Sequence, residues 1–239
     1  MSETSPRLFI VSPHFGDAVF SCGALLAAHP DATVCTVFAA PPEHEMQTEW
    51  DAASGFAGAF EAVHARAVED NRALAVLDAI PVRLPFRDSQ YLDSPSISKL
   101  SAALEEIIYG STANTLLMPL GLHHPDHERV FAACCEVLPR LSHLTWFGYE
   151  EAIRRRAPGV VEARLADLAQ RGIAATQASP VVNAHTIDAQ RQAFLKREAV
   201  GAYVSQLQAF GRQACEDIFA PERYWQLNVI RPPGHRAKK

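Results

Sequence analysis

The sequence predicts an α/β protein of three layers, α/β/α, built on a mostly parallel sheet. Three observations predict it. Short β-branched and aromatic runs alternate with longer Ala- and Leu-rich helical ones. The strand candidates are apolar throughout rather than alternating, as strands covered on both faces are. The 239 residues are enough to bury about 70–75% of the unfolded surface without disulfide or metal staples.

Each element follows from local pattern. Leu8-Phe9-Ile10-Val11 reads as a buried strand halted at Ser12-Pro13, residues 18–29 read as a helix, and residues 33–38 return to β-branched and aromatic types. That β-loop-α-β order is a crossover unit, right-handed in nearly all proteins. The alternation continues with a helix at 62–77, a short strand at 82–84, a helix at 97–108 and a strand at 115–120. A helix at 128–138, closed by Pro139, precedes a strand at 144–148. Beyond residue 150 the pattern weakens: 160–170 and 189–203 read as helices, and 225–230 as a late strand. A single domain over 1–239 is expected, with flexible ends at 1–6 and 231–239.

Composition narrows the partners. With 27 acidic and 22 basic side chains the net charge is -5, the wrong sign for a general nucleic-acid binder. No run approaches the roughly 18 apolar residues of a membrane helix. The polar start of the chain lacks a signal peptide's apolar stretch. Five cysteines without a C-x-x-C pair fit a reducing, cytoplasmic setting, with Cys134 and Cys135 buried as small apolar side chains.

Two loops carry chemistry. Pro13-His14-Phe15-Gly16-Asp17 follows the first strand, and Gly121-Leu122-His123-His124-Pro125-Asp126-His127 follows another core strand. Ligands of open α/β sheets bind outside the carboxyl ends of strands, so both loops are expected at one site. Imidazole and carboxylate are zinc ligands, and catalytic zinc keeps three of them plus water. His14 and Asp17 are three residues apart, as are His124 and His127, so each pair can aim one way. The residues leave the ligand set as His14, Asp17 and one histidine of the second loop.

These motifs resemble the PIG-L/LmbE-like superfamily of zinc-dependent N-deacetylases. That family carries His-Pro-Asp-Asp or His-Leu-Asp-Asp and then His-Pro-Asp-His, against His14-Phe15-Gly16-Asp17 and His124-Pro125-Asp126-His127 here. Trp50-Asp51, Glu69-Asp70, and Lys196 with Tyr203, Ser205 and Gln206 add to the likeness. The resemblance implies a Rossmann-like sheet and zinc ligands at His14, Asp17 and His127. It implies that His124 stabilises the oxyanion or protonates the leaving amine, with Asp126 holding and polarising that imidazole and raising its pKa. It also implies a small N-acetylated amino sugar or related amide as substrate. No nucleic acid or membrane partner is expected, and a homo-oligomer is compatible with it.

One departure stands out. The family's general base is the first Asp of its paired acids, and here that residue is Gly16. Asp88, Glu150 and Glu151 are candidate replacements, zinc hydroxide alone is another, and a zinc- or sugar-binding homologue without turnover is the rival. A carboxylate restored by Gly16→Asp is expected to raise activity by about 10²-fold or more. Asp88, in Arg87-Asp88-Ser89-Gln90-Tyr91, is also a candidate substrate-binding residue. His123 is expected outside the ligand set. The run Arg154-Arg155-Arg156 reads as a solvated face that could alternatively recognise an anion.

Overall fold

The computed structural model describes residues 6–180 and 187–230. Strand β1 (Leu8–Ser12) is followed by α1 (Asp17–Ala27) and β2 (Thr33–Thr36). Helices α2 (Glu49–Ala53) and α3 (Ala59–Val76) lead to β3 (Ile80–Arg83). The chain returns through α4 (Ile97–Tyr109) to β4 (Thr115–Pro119), then through α5 (Pro125–Val137) to β5 (Thr145–Tyr149). It ends with α6 (Val160–Gln170), β6 (Ile173–Gln177), α7 (Ala189–Gly201), α8 (Val204–Phe210), α9 (Arg212–Ile218) and β7 (Tyr224–Val229).

The sheet order is β3-β2-β1-β4-β5-β7-β6. Strands β1 to β5 are parallel, and β7 runs antiparallel between β5 and β6. Phe9 and Val11 pack with Leu116 and Val130 on one face, while Leu8 and Ile10 pack with Leu26 and Leu74 on the other. Both faces are covered, which is why the strands read as unbroken apolar runs. From β1 the chain walks outward to β3, then jumps back across β1 to β4. At that reversal helices α1 and α5 leave for opposite faces of the sheet, and the loops leading into them flank a crevice at the strand ends. Among the described residues no helix is long and apolar enough to cross a membrane.

The departures from the sequence reading have local causes. Helix α2 is one short turn started by Thr48, whose side chain accepts the Asp51 amide at 3.0 Å. Edge strand β6 has only Ile173 buried, so it lacks an apolar run. The helix expected over 189–203 ends at Gly201, and Tyr203 (φ -86°, ψ 57°) turns the chain into α8. Helix α5 starts at Pro125 rather than 128, with proline in the first turn, where its missing N–H costs nothing. The readings for the two ends fall, Pro6 apart, outside the described residues. Cys134 and Cys135 are buried on α5.

Helix α1 is broken at Cys22 (φ -130°, ψ 17°). The amides of Ala24 and Leu25 donate instead to Glu222, at 2.8 and 3.1 Å. The same carboxylate takes Lys196 Nζ at 2.7 Å and the Tyr224 hydroxyl at 2.6 Å. Lys196 passes over Gly23, where a Cβ would meet its Cγ at 2.8 Å. Removing one partner would leave the other charge buried and unpaired. Glu222→Ala should therefore lower unfolding free energy in urea by about 3–5 kcal/mol.

Candidate metal centre

Beyond β1, the Ser12 hydroxyl donates to the His14 carbonyl at 2.7 Å and accepts the Ala18 amide at 3.0 Å, cinching the loop. Gly16 sits at φ 91°, ψ -27°, a left-handed conformation that suits glycine. The turn starts α1 at Asp17, whose Oδ2 accepts the His14 amide at 2.8 Å. The Asp70 carboxylate faces the Gly16 amide and takes the Tyr203 hydroxyl at 2.8 Å. Beyond β4, His124 caps α5, its Nδ1 accepting the Asp126 amide at 3.2 Å. Asp126 and His127 are thus residues of the first helical turn, both 0% exposed, and His123 points to solvent.

The two loops converge. His14 Nδ1 lies 3.3 Å from His127 Nε2 and 3.4 Å from Asp17 Oδ2, and His127 Nε2 lies 3.2 Å from the same oxygen. Tetrahedral zinc with ligands at about 2.0–2.1 Å needs them about 3.3 Å apart, so this triangle fits the ion. Two other sets, His14 with His124 and His127, and His14 with Asp88 and Asp126, have ligand atoms within 4.8 Å of one another. In the first, His124 Nδ1 is spent on capping. The second gathers at the other nitrogen of His14, at 3.4 and 3.1 Å, and offers one histidine where the triangle offers two. Behind the triangle, Asp126 Oδ2 is 3.1 Å from His14 Nε2, and Glu151 Oε1 is 3.3 Å from His127 Nδ1. Glu151 Oε1 also accepts the Gly121 and Leu122 amides, at 2.8 and 2.9 Å. Carboxylates on the far nitrogens fix the tautomer and orientation of metal-binding imidazoles.

The charges respond. Burial alone would lower the His14 pKa, but Asp88, Asp126 and Asp17 together lift it to about 10. Burial would raise the Asp17 carboxyl, yet His127 and His14 hold it well below the usual range. Burial, then the charges of His14, Arg154 and His127, push the His124 imidazole down to about 3. This corrects the expectation that Asp126 keeps His124 protonated. The Asp126 carboxylate bonds His14 and the Ser89 amide (3.0 Å), and Asp126 hydrogen-bonds His124 through its backbone N–H. Its charge does raise the His124 pKa, but is outweighed by burial and the nearby cationic groups.

A cavity of about 310 Å³ opens over the triangle, lined by His14, Asp17, Asp88, His124, Arg154 and Gln206 among others. Trp50 and Phe210 form an aromatic wall, ring centroids 5.1 Å apart. A larger cavity, about 760 Å³, lies among Leu8, Thr33 and Ile80 at the amino ends of the strands, away from these loops. Of the three acids considered as replacement bases, only Asp88 lines the smaller cavity. Glu151 is spent behind His127, and Glu150 accepts Trp225 Nε1 at 3.1 Å and pairs with Arg223. The orienting part of Glu151 was invisible in the sequence. The α5 start was signalled by His124-Pro125 followed by acids.

Residues 9–138, from β1 through α5, match the PIG-L family, described as GlcNAc-PI de-N-acetylase. The chain belongs to the PIG-L family. Among curated proteins, none matches it. In solved structures this PIG-L chain resembles the A40926 pseudoaglycone deacetylase Dbv21, at 22% identity and a TM-score of 0.73, covering 96% of this chain and 100% of that one. It resembles the zinc-inhibited form of teicoplanin deacetylase Orf2, at 20% identity and a TM-score of 0.74, covering 95% and 100%. A third likeness, to N,N'-diacetylchitobiose deacetylase from Pyrococcus horikoshii, has 15% identity and a TM-score of 0.52, over 84% and 70%. These likenesses share the fold.

Two outcomes test the PIG-L centre. His127→Ala should lose zinc in equilibrium dialysis, Glu151→Gln should weaken it by about 10–100-fold, and His123→Ala should retain it. Because the metal must displace the His14 proton below pH 10, calorimetry at neutral pH should record proton release. Zinc affinity should rise about tenfold per pH unit through neutrality.

Proposed function

We propose that this protein is a zinc-dependent amide hydrolase that removes an N-acetyl group from an amino sugar or related small amide. The observation that carries this reading is the 3.2–3.4 Å triangle of His14, Asp17 and His127, with a carboxylate behind each imidazole. Family membership and the cavity beside the triangle support it. Zinc held there would lower the pKa of its water to about 7 and polarise the amide carbonyl.

The remaining chemistry belongs to the chain. His124 Nδ1 accepts the Asp126 amide, so the neutral ring carries its proton on Nε2. With a pKa near 3 the ring is uncharged at neutral pH. It offers an N–H donor suited to the oxyanion rather than a site that takes a proton. Asp126 acts through His14, as a positioning residue. Asp88, the cavity-lining carboxylate beside the far nitrogen of His14, would take the proton of the attacking water through an intervening water rather than directly. Its oxygens are steadied by the Gln90 backbone and side-chain amides at 2.9 and 2.8 Å.

Acetate release from N-acetylated amino sugars by the zinc-loaded protein, abolished by chelation, is the expected result. Bound zinc without acetate release would favour the rival reading, binding without turnover, which the bare residue 16 supports. Asp88→Asn should lower kcat by about 10²–10⁴-fold, with a smaller change in KM. Gly16→Asp no longer promises a gain. Residue 16 has φ 91°, and a Cβ there would meet the Phe20 ring at 2.9 Å. The variant should lose about 1–3 kcal/mol of stability, read as a lower Tm, without gaining rate.

A further inference from the structure

We infer that Arg154 recognises an anionic group, a carboxylate or phosphate, carried by the substrate of this site. The inference rests on the hydrolase reading only for the amide; the anion is read from the cavity itself. Arg154 lines the cavity beside His14, Asp17 and His124. Among the described residues no hydrogen bond or ion pair engages its guanidinium, although its charge reaches Asp17, His124 and His127.

The other cationic groups nearby are consumed. Arg66, which also lines the cavity, pairs with Asp51 at 2.8 Å and reaches the Ser54 and Tyr91 hydroxyls. Arg155 binds the Asp217 carboxylate at 3.0 and 3.2 Å and donates to the Asp217 and Pro221 carbonyls. Of these three, Arg154 is the one whose guanidinium has no ion pair among the described residues; Arg66 leaves only its buried Nε without a partner.

The backbone is built to present it. Residues Arg154–Arg156 form a 3-10 turn started by Ile153 at φ 73°, ψ -49°. A β-branched residue there is strained, and such strain persists where the surroundings over-determine it. They do so here. The Ile153 amide donates to Asp217 Oδ2 at 2.6 Å, and the Ala152 amide donates to the Ser21 hydroxyl at 3.1 Å. One residue earlier, Glu151 is fixed behind His127. The turn is anchored to the candidate metal centre on one side and to Asp217 on the other, with Arg154 between them. A planar guanidinium suits carboxylate or phosphate oxygens, which it can meet with paired N–H donors. Residue 154 lies beyond the residues that match the family.

The test uses deacetylated products, which cannot turn over, on the zinc-loaded full chain. Calorimetric affinities for glucosamine, glucosamine 6-phosphate and muramic acid give the preference for an anion, and the two acidic probes separate phosphate from carboxylate. At least one acidic probe should bind the unaltered protein roughly 10–100-fold better than glucosamine. Arg154→Gln should bring that ratio close to one at unchanged Tm, whereas Arg140→Gln, outside the cavity, should preserve it. No preference in the unaltered protein, or a preference that survives Arg154→Gln, overturns the inference. Loss of the preference in Arg154→Gln beside absent acetate release would sink the hydrolase reading and leave this one standing.

Discussion

Two buried imidazoles converge on one carboxylate oxygen, and much of the molecule is arranged to hold them there. His14 and His127 both lie within 3.4 Å of Asp17 Oδ2, and each has a further carboxylate at its other nitrogen. Four acids, Asp17, Asp88, Asp126 and Glu151, thus crowd two histidines in a largely buried space. Buried charge of one sign is costly unless paired. A divalent cation relieves that cost, and without it His14 keeps a proton. The reversal of strand order between β1 and β4 lets residues 113 positions apart meet in this way.

How far the sequence disclosed this depended on the range of each interaction. The sheet was legible, because strands covered on both faces become apolar runs that need no context. The pairs His14 with Asp17 and His124 with His127 were legible, because a spacing of three works inside one turn. The partner of Asp126 was misread. Residues 124 and 126 are two apart at the start of a helix, about 200° around its axis, so their side chains diverge. Asp126 therefore meets His14, from the other loop. Glu151 was beyond reach, since its role depends on β5 lying beside β4, a neighbour relation no local pattern encodes.

Two buried contacts give the distant motif residues a purpose. Glu69 accepts the Ser205 amide and hydroxyl at 2.8 and 2.7 Å, and Asp70 accepts the Tyr203 hydroxyl while facing the Gly16 amide. Helix α3 thereby ties the loop of the first motif to α8, which brings Gln206 and Phe210 to the cavity. Gly16 is part of that arrangement. Its left-handed turn, the Phe20 ring against it and Gln206 Nε2 3.3 Å from where a Cβ would stand leave no room for a side chain. Residue 16 is a backbone element here, and the cavity-lining carboxylate Asp88 stands on another loop. The segment that matches the family builds the triangle of His14, Asp17 and His127 and brings Trp50 to the cavity, whereas residues after it supply Arg154 and Phe210.

The most direct test of the centre is a crystal structure of the zinc-loaded protein with anomalous scattering recorded at the zinc edge. One peak is expected at about 2.0–2.2 Å from His14 Nδ1, Asp17 Oδ2 and His127 Nε2. A peak on the other side of the His14 ring, between Nε2, Asp88 and Asp126, would contradict it.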